Sequence, residues 1–292
     1  MSFRILTDTS ANLPTEILKD NDISVIPFSY FIKDREYSCV DTAGFDGKKF
    51  YHAMRLGAKI STSQINIFHY LRFFERFLMS GEDILMINMS SGISGSFRCA
   101  ELAAKELKPK FPDRRIMLID TLGASLGEGL LVLRAVEFRR RGYSISKAYD
   151  KLESEKHRMY QVFTVDDLTY LKNSGRIKGS AAVVGNMLQI KPLLKGNANG
   201  EIVNFGKTVG RKKAILTMAQ KYNQLVRNPE LQTVGIAHAD CEDDAEYLAQ
   251  LIGEKKPPKS ILTVMYEPVT GSHVGPGTLA LFFMGGDDVR NK

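Results

Sequence analysis

Short apolar runs alternate along the chain with longer stretches in which apolar residues recur every three or four positions. Residues 84–107, ILMINMSSGISGSFRCAELAAKEL, show this most plainly. Ile84, Leu85, Met86, Ile87 and Met89 read as a buried strand. A Ser/Gly cluster stops it, and from Phe97 onward Ala100, Leu102, Ala103, Ala104 and Leu107 carry helical spacing. Strand, loop and helix make the first half of a βαβ unit. The same grammar predicts strands at 3–7 and 115–119 and helices from Thr15, at 46–56, at 67–79 and at 129–141, with polar residues at each strand's carboxyl end. That alternation predicts a parallel sheet with helices on both faces. The β-rich stretch 23–31 contains Pro27, a mark of an edge or bulge. A turn at 34–36 then lets 37–40 pair back. Phe68, Tyr70, Phe73, Phe74 and Phe77 fall at helical spacing and are assigned to the core.

The pattern changes near Tyr160. A helix at 145–157 and a strand at 161–165 precede a helix from Asp166 through Leu171, broken at Gly175. The apolar run 181–188 reads as helical. Segments 192–195 and 201–205 flank GNANG at 196–200, a hairpin signal. Helices at 211–226 and 243–252 alternate with strands at 233–237 and 260–266, and a polar loop at 271–277 precedes the apolar 279–284. The fold class is therefore α/β in two domains: a parallel-sheet domain over 1–160 and a smaller α+β domain with a mixed or antiparallel sheet over 161–292.

With 292 residues, 43% of them hydrophobic and 25% charged, the chain has the composition of a globular protein with a substantial core. No apolar run approaches the roughly 20 residues of a membrane span, and the amino terminus lacks signal-peptide architecture. Cys39, Cys99 and Cys241 are odd in number and form no CxxC motif, which suits a reducing compartment; the cytoplasm is the expected location. The formal charge of +7, with clusters at 139–141 and 211–213, fits nucleic acid, anionic lipid or an acidic partner. No zinc-finger spacing or RNA-recognition signature accompanies it, so nucleic acid is not expected. The histidines form no metal-ligand set, and neither metal nor cofactor is expected.

Ser90, Ser91, Ser94 and Ser96 sit at a strand's carboxyl end and a helix's amino end, where unpaired N–H groups favour an anion. Gly92 and Gly95 would let a ligand approach the backbone. Helix capping and chain turning are the ordinary alternative. The cluster is neither a P-loop nor a dinucleotide turn, and Gly206-Lys207-Thr208 lacks a correctly spaced preceding glycine. Gly123-Ala124-Ser125-Leu126-Gly127 matches the G-x-S-x-G nucleophile pattern, although 120–122 separate it from its strand. A serine hydrolase using Ser125 or Ser94, with His238 or His273 as partner, is thus the alternative reading. His273, amid glycines and a proline, is either a solvated loop residue or a donor to an anion.

Taken in order, ILTDTSANLP at 5–14, TSQ at 62–64, MSSGISGS at 89–96, IDT at 119–121, VDDLTYLKNSGRI at 165–177, QIKPLL at 189–194 and HVGPG at 273–277 resemble the motifs of the DegV family, bacterial fatty-acid-binding proteins. The resemblance implies a long-chain fatty acid buried between two domains. Thr62 and Ser94 would hydrogen-bond its carboxylate, the backbone near Gly95 would donate as well, His273 would lie close, and Arg176 would act directly or through water. Phe28, Phe163, Leu168, Leu171, Ile177, Met187, Leu188 and Ile190 are candidates for an acyl tunnel, each buried methylene worth about 0.8 kcal/mol. The family further implies a carrier with no catalytic apparatus. It would present the fatty acid to a separate ATP-dependent kinase subunit that makes an acyl-phosphate for phospholipid synthesis. The basic clusters would dock that partner or touch anionic membrane. Two departures stand out: Ile65-Asn66 where the family commonly has Pro-Ser, and Ser96 where it commonly has Thr.

Overall fold

The computed structural model of the protein describes residues 3–178 and 189–292. The run 181–188 and the tunnel candidates Met187 and Leu188 lie outside the described residues. The chain forms two compact units, Met1–Phe45 with Ser61–Lys156 and Asp46–Ile60 with His157–Lys292. The segment 46–60 therefore groups with the second unit, whereas the sequence boundaries placed it in the first domain.

In chain order the elements begin with β1 (Phe3–Asp8), α1 (Thr15–Asp20), β2 (Ile23–Ile26), β3 (Ser29–Ile32) and β4 (Arg35–Ser38). After α2 (Gly47–Arg55) come β5 (Ile60–Ser63), α3 (Ile67–Met79), β6 (Asp83–Asn88), α4 (Ser96–Leu107), β7 (Ile116–Asp120), α5 (Leu126–Arg140) and α6 (Ile145–Glu155). In the first unit the strands run β2-β1-β6-β7, all parallel, with Ile5 opposite Leu85 and Ile87 opposite Ile119. Ile5, Leu6, Leu85, Met86 and Ile87 are fully buried. Consecutive buried residues mean that both faces of the central strands are covered, as continuous apolar runs require. Helices α3 and α4 pack on each other, as do α5 and α6.

Pro27 does more than mark an edge: it divides 23–31 between two sheets. β2 joins the parallel sheet, while β3 joins a three-stranded sheet ordered β4-β3-β5. The turn into β4 falls on Lys33 and Asp34, both at positive φ, so Arg35 and Glu36 are strand residues rather than turn residues. The aromatic helix also needs a correction. Tyr70, Phe74 and Phe77 are core, but Phe68 is 70% exposed because it lies on the solvent face of α3.

The second unit adds β8 (Met159–Thr164), α7 (Thr169–Asn173), β9 (Ile177–Lys178), β10 (Ile190–Gly196), β11 (Ile202–Val209) and α8 (Arg211–Leu225). There follow β12 (Thr233–His238), α9 (Glu242–Lys255), β13 (Ser260–Met265), α10 (Pro268–Val274) and β14 (Leu279–Met284). Its sheet is mixed, in the order β13-β12-β14-β8-β10-β11-β9. The 196–200 turn joins β10 to β11 as an antiparallel hairpin. Tyr160, Tyr222 and Phe283 meet in its core, Phe283 lying 5.3 and 5.2 Å from the two tyrosine rings. The expected polar loop at 271–277 is in fact helical through Val274. Glu267 caps that helix by accepting from Val269 N and Thr270 N, both at 2.6 Å, and Pro268 occupies its first turn.

Candidate functional site

In the first unit, three adjacent parallel strands end in Asp8, Asn88 and Asp120. Beyond β6 the serine loop closes on itself: Ser94 N donates to Ser90 O at 3.1 Å, and Ser90 N donates to Gly123 O at 2.8 Å. Three of the four serines are committed to this architecture. Ser90 Oγ accepts from Gly92 N at 3.0 Å. Ser91 donates its hydroxyl to Asp120 Oδ2 at 2.5 Å and its N–H to Oδ1 at 3.1 Å. Ser96, fully buried, accepts from Ile65 N at 3.0 Å. Ser94 is the adjustable one. Half-buried, it accepts from Ser96 N at 3.2 Å and turns its proton to Ser96 Oγ at 3.0 Å. Gly95 follows as the cap of the 12-residue α4 and supplies no side chain to the N–H groups of its first turn.

The segment carrying Thr62 packs against this loop. Thr62 is half-buried on β5. Gln64 Oε1 occupies the space beside Gly95, only 2.2 Å from where a Cβ would stand, and Gln64 Nε2 lies 3.6 Å from Cys99 Sγ. The Ile65-Asn66 departure is absorbed locally. Ile65 is only 1% exposed, and Asn66 caps α3 by accepting from His69 N at 3.0 Å, the task a serine performs equally well.

The second unit places Arg176 and His273 near each other. Gly175, at φ 69°, turns the chain out of α7, and Arg176 then donates to Ser174 O. His273 stands in the last turn of α10. Burial, aided by the positive charge of Arg176, pushes its imidazole down to about 4, so it is neutral at neutral pH. Small residues let α10 sit where it does: a Cβ on Gly271 would lie 2.0 Å from Tyr51 Oη, and one on Gly275 2.3 Å from the Tyr170 ring. Asp166, first acid of the VDD motif, pairs with Lys191 at 2.6 Å and Arg211 at 3.6 Å, tying the start of the α7 segment to β10 and α8. Among the tunnel candidates, Phe28, Phe163, Leu168 and Leu171 are buried, and Ile177 and Ile190 are half-buried.

Ser125 has the strained backbone of a nucleophile turn, φ 53° and ψ −140°, immediately before α5. Its surroundings do not match one. The side chain is 1% exposed, and its hydroxyl accepts from Asn12 Nδ2 at 3.2 Å rather than meeting an imidazole. Asp8 and Asp120, read from the sequence as polar strand ends within two of the motifs, tie down the loop around Ser94, whereas Glu128 escapes the sequence. Its signal was a lone glutamate in the apolar stretch LGEGLL.

Among the described residues no cluster of His, Cys, Asp and Glu could hold a metal ion, and no helix is long and apolar enough to cross a membrane. A family model described as "Uncharacterised protein, DegV family" matches residues 2–285. A DegV domain-containing protein of Clostridium perfringens is 42% identical over 283 residues, 97% of each chain. One from Lactococcus lactis is 31% identical over 282 residues, again 97% of each. The solved structure of a DegV family protein from Thermus thermophilus, described as fatty acid binding, aligns with a TM-score of 0.88 at 27% identity, covering 98% of this chain and 100% of that one. DegV of Bacillus subtilis, described as a fatty acid binding protein, gives 0.83 at 27% identity with the same coverage. By sequence over nearly its whole length, this chain belongs to the DegV family.

Proposed function

We propose that the protein is a carrier that binds a long-chain fatty acid. Thr62 and Ser94 hold its carboxylate, and the backbone at Gly95 donates to it. The observation that carries this reading is the Ser94 hydroxyl at the amino end of α4, where the cap residue Gly95 has no side chain, beside the Thr62–Ile65 strand exit. Neutral hydroxyls and helix N–H groups orient a carboxylate through charge-assisted bonds. Relatives at 27% identity described as fatty acid binding support the choice of ligand.

The test is native mass spectrometry of the purified protein, followed by lipid extraction and acyl analysis. A co-purifying fatty acid near unit stoichiometry, lost in Thr62→Ala/Ser94→Ala, is expected. A protein that is empty and takes up no added palmitate overturns the reading.

The second part of the proposal is that the loaded protein presents its carboxylate to a separate kinase subunit. Palmitate-loaded protein with ATP alone should form no acyl-phosphate, and addition of the kinase subunit should produce it. Docking to that partner or to anionic membrane falls to the exposed Arg140, Arg141, Lys212 and Lys213. Their neighbours are engaged within the fold: Arg139 binds Phe3 O and Asn21 O, and Arg211 pairs with Asp244 at 2.8 Å. Charge-neutral substitution of those four, with kinase coupling and vesicle transfer unchanged, would remove this part.

A further inference from the structure

Two buried carboxyl groups share one hydroxyl at the end of β1. Ser10 Oγ lies 2.6 Å from Asp8 Oδ1 and in still closer contact with Glu128 Oε2. Asp8, Ser10 and Glu128 are all fully buried. A serine hydroxyl has one proton, so it donates to only one of the two carboxyls. The other contact needs a proton on the carboxyl itself.

Counting donors identifies the protonated partner. With the shared Ser10 hydroxyl set aside, Asp8 receives two backbone donors, Ser10 N at 2.9 Å and Met89 N at 3.1 Å. Glu128 receives Thr7 Oγ1 at 2.9 Å. Neither carboxyl has a lysine or arginine partner among the described residues. Two unpaired charges at this depth would carry a heavy desolvation penalty, whereas one carboxylate with two backbone donors, completed by the serine hydroxyl, is well accommodated. Burial accordingly pushes Glu128 well above the usual carboxylate range, with the nearby Asp8 adding to the effect. Asp8 is also raised by burial, and hydrogen bonds oppose the shift at both groups; the one between the two carboxyls differs, raising Glu128 and lowering Asp8.

We propose that Glu128 is a neutral carboxylic acid donating to Ser10 Oγ, that Ser10 donates to the Asp8 carboxylate, and that Asp8 thereby fixes the Met89 N–H where the serine loop begins. Asp8 and Glu128 are then positioning residues for Ser94. The relay links α5 and β1 to the loop without touching the ligand. Its binding consequence rests on the fatty-acid reading; its protonation state does not.

Isosteric amides separate the two carboxyls. Glu128→Gln reproduces a protonated glutamate, with Nε2 donating to Ser10 and Oε1 accepting from Thr7, and should bind palmitate within about threefold of wild type. Asp8→Asn sets an NH₂ group against backbone donors. It should weaken palmitate binding about tenfold or more and speed amide exchange at Met89. In delipidated, ¹³C-glutamate-labelled protein at neutral pH, the infrared spectrum should show an isotope-shifted carbonyl band of a protonated acid, lost in Glu128→Gln. Absence of that band, or a tolerated Asp8→Asn with an impaired Glu128→Gln, would overturn the assignment. If Asp8→Asn does not fold, Ser10→Ala cuts the relay with both carboxyls in place. Unchanged palmitate affinity and Met89 exchange in it would end the positioning role. A wild-type protein that shows the band and takes no palmitate would sink the fatty-acid reading while leaving the protonation state standing.

Discussion

Ile65 N donates to Ser96 Oγ at 3.0 Å, a bond spanning 31 positions that fastens the segment carrying Thr62 to the loop carrying Ser94. Both residues are buried, so water cannot replace either partner. Ser96→Ala should therefore cost about 1–3 kcal/mol, the penalty of an unsatisfied buried N–H. It should also weaken palmitate binding, because the two proposed carboxylate donors lose their tether. Denaturant unfolding and a palmitate titration check both effects; full stability in Ser96→Ala would show that the bond contributes nothing.

Two glycines distinguish a functional contact from a structural one. A Cβ on Gly95 meets the tip of Gln64, an exposed and flexible side chain, so Gly95→Ala should change stability by less than about 1 kcal/mol. A Cβ on Gly271 instead meets Tyr51 Oη, which is buried and donates to Tyr266 O at 2.8 Å. That clash cannot be relieved by rotation into solvent, and Gly271→Ala should cost about 1–3 kcal/mol. Palmitate affinity should fall in Gly95→Ala and recover in Gly95→Ala/Gln64→Ala. Equal melting losses for the two single variants would contradict this ordering.

Much of this was readable from the chain. The strand–loop–helix at 84–107 needs only local periodicity, and Ser94 and Gly95 fall at its junction for that reason. What escaped was non-local. Pro27 announces a break, but not that β3 would leave for another sheet. His273 looks like a loop residue by composition, because its helix is specified by the cap at Glu267 and by glycines that fit against Tyr51 and Tyr170. Phe68 shows the limit of periodicity, which finds a helix more reliably than the width of its buried face. Glu128 acquires its meaning only from Thr7 and Ser10, 121 and 118 positions away.

The imidazole of His273 gives a pH prediction with a definite sign. Its folded value, about 4, lies below the ordinary 6.5. The unfolded chain therefore binds the proton more readily, so stability from this group is complete above 6.5 and is lost as pH falls toward 4. The ¹⁵N shifts of His273 should report a neutral ring at pH 6. Wild type should lose more stability between pH 6.5 and 4 than His273→Gln, which keeps a donor without the titration. A ring that titrates near 6.5 would show that burial and Arg176 do not hold it neutral.

The hydrolase reading makes the opposite demand on Ser125 from the one its surroundings suggest. A nucleophile must be reachable and must meet a base, whereas this hydroxyl is enclosed and bonded to Asn12. Fluorophosphonate should therefore leave the protein unlabelled at Ser125 and at Ser94. The strained φ and ψ have a structural use instead: they turn the chain into α5, and Gly129, whose Cβ would fall 2.4 Å from Ala11 O, lets that helix close on the 9–11 turn. Ser125→Gly relieves the strain, worth about 1–3 kcal/mol, while giving up one neutral hydrogen bond. Ser125→Ala gives up the bond and keeps the strain. Ser125→Gly should accordingly melt above Ser125→Ala, with palmitate affinity near wild type in both. Labelling abolished by either substitution would return the serine to a catalytic role.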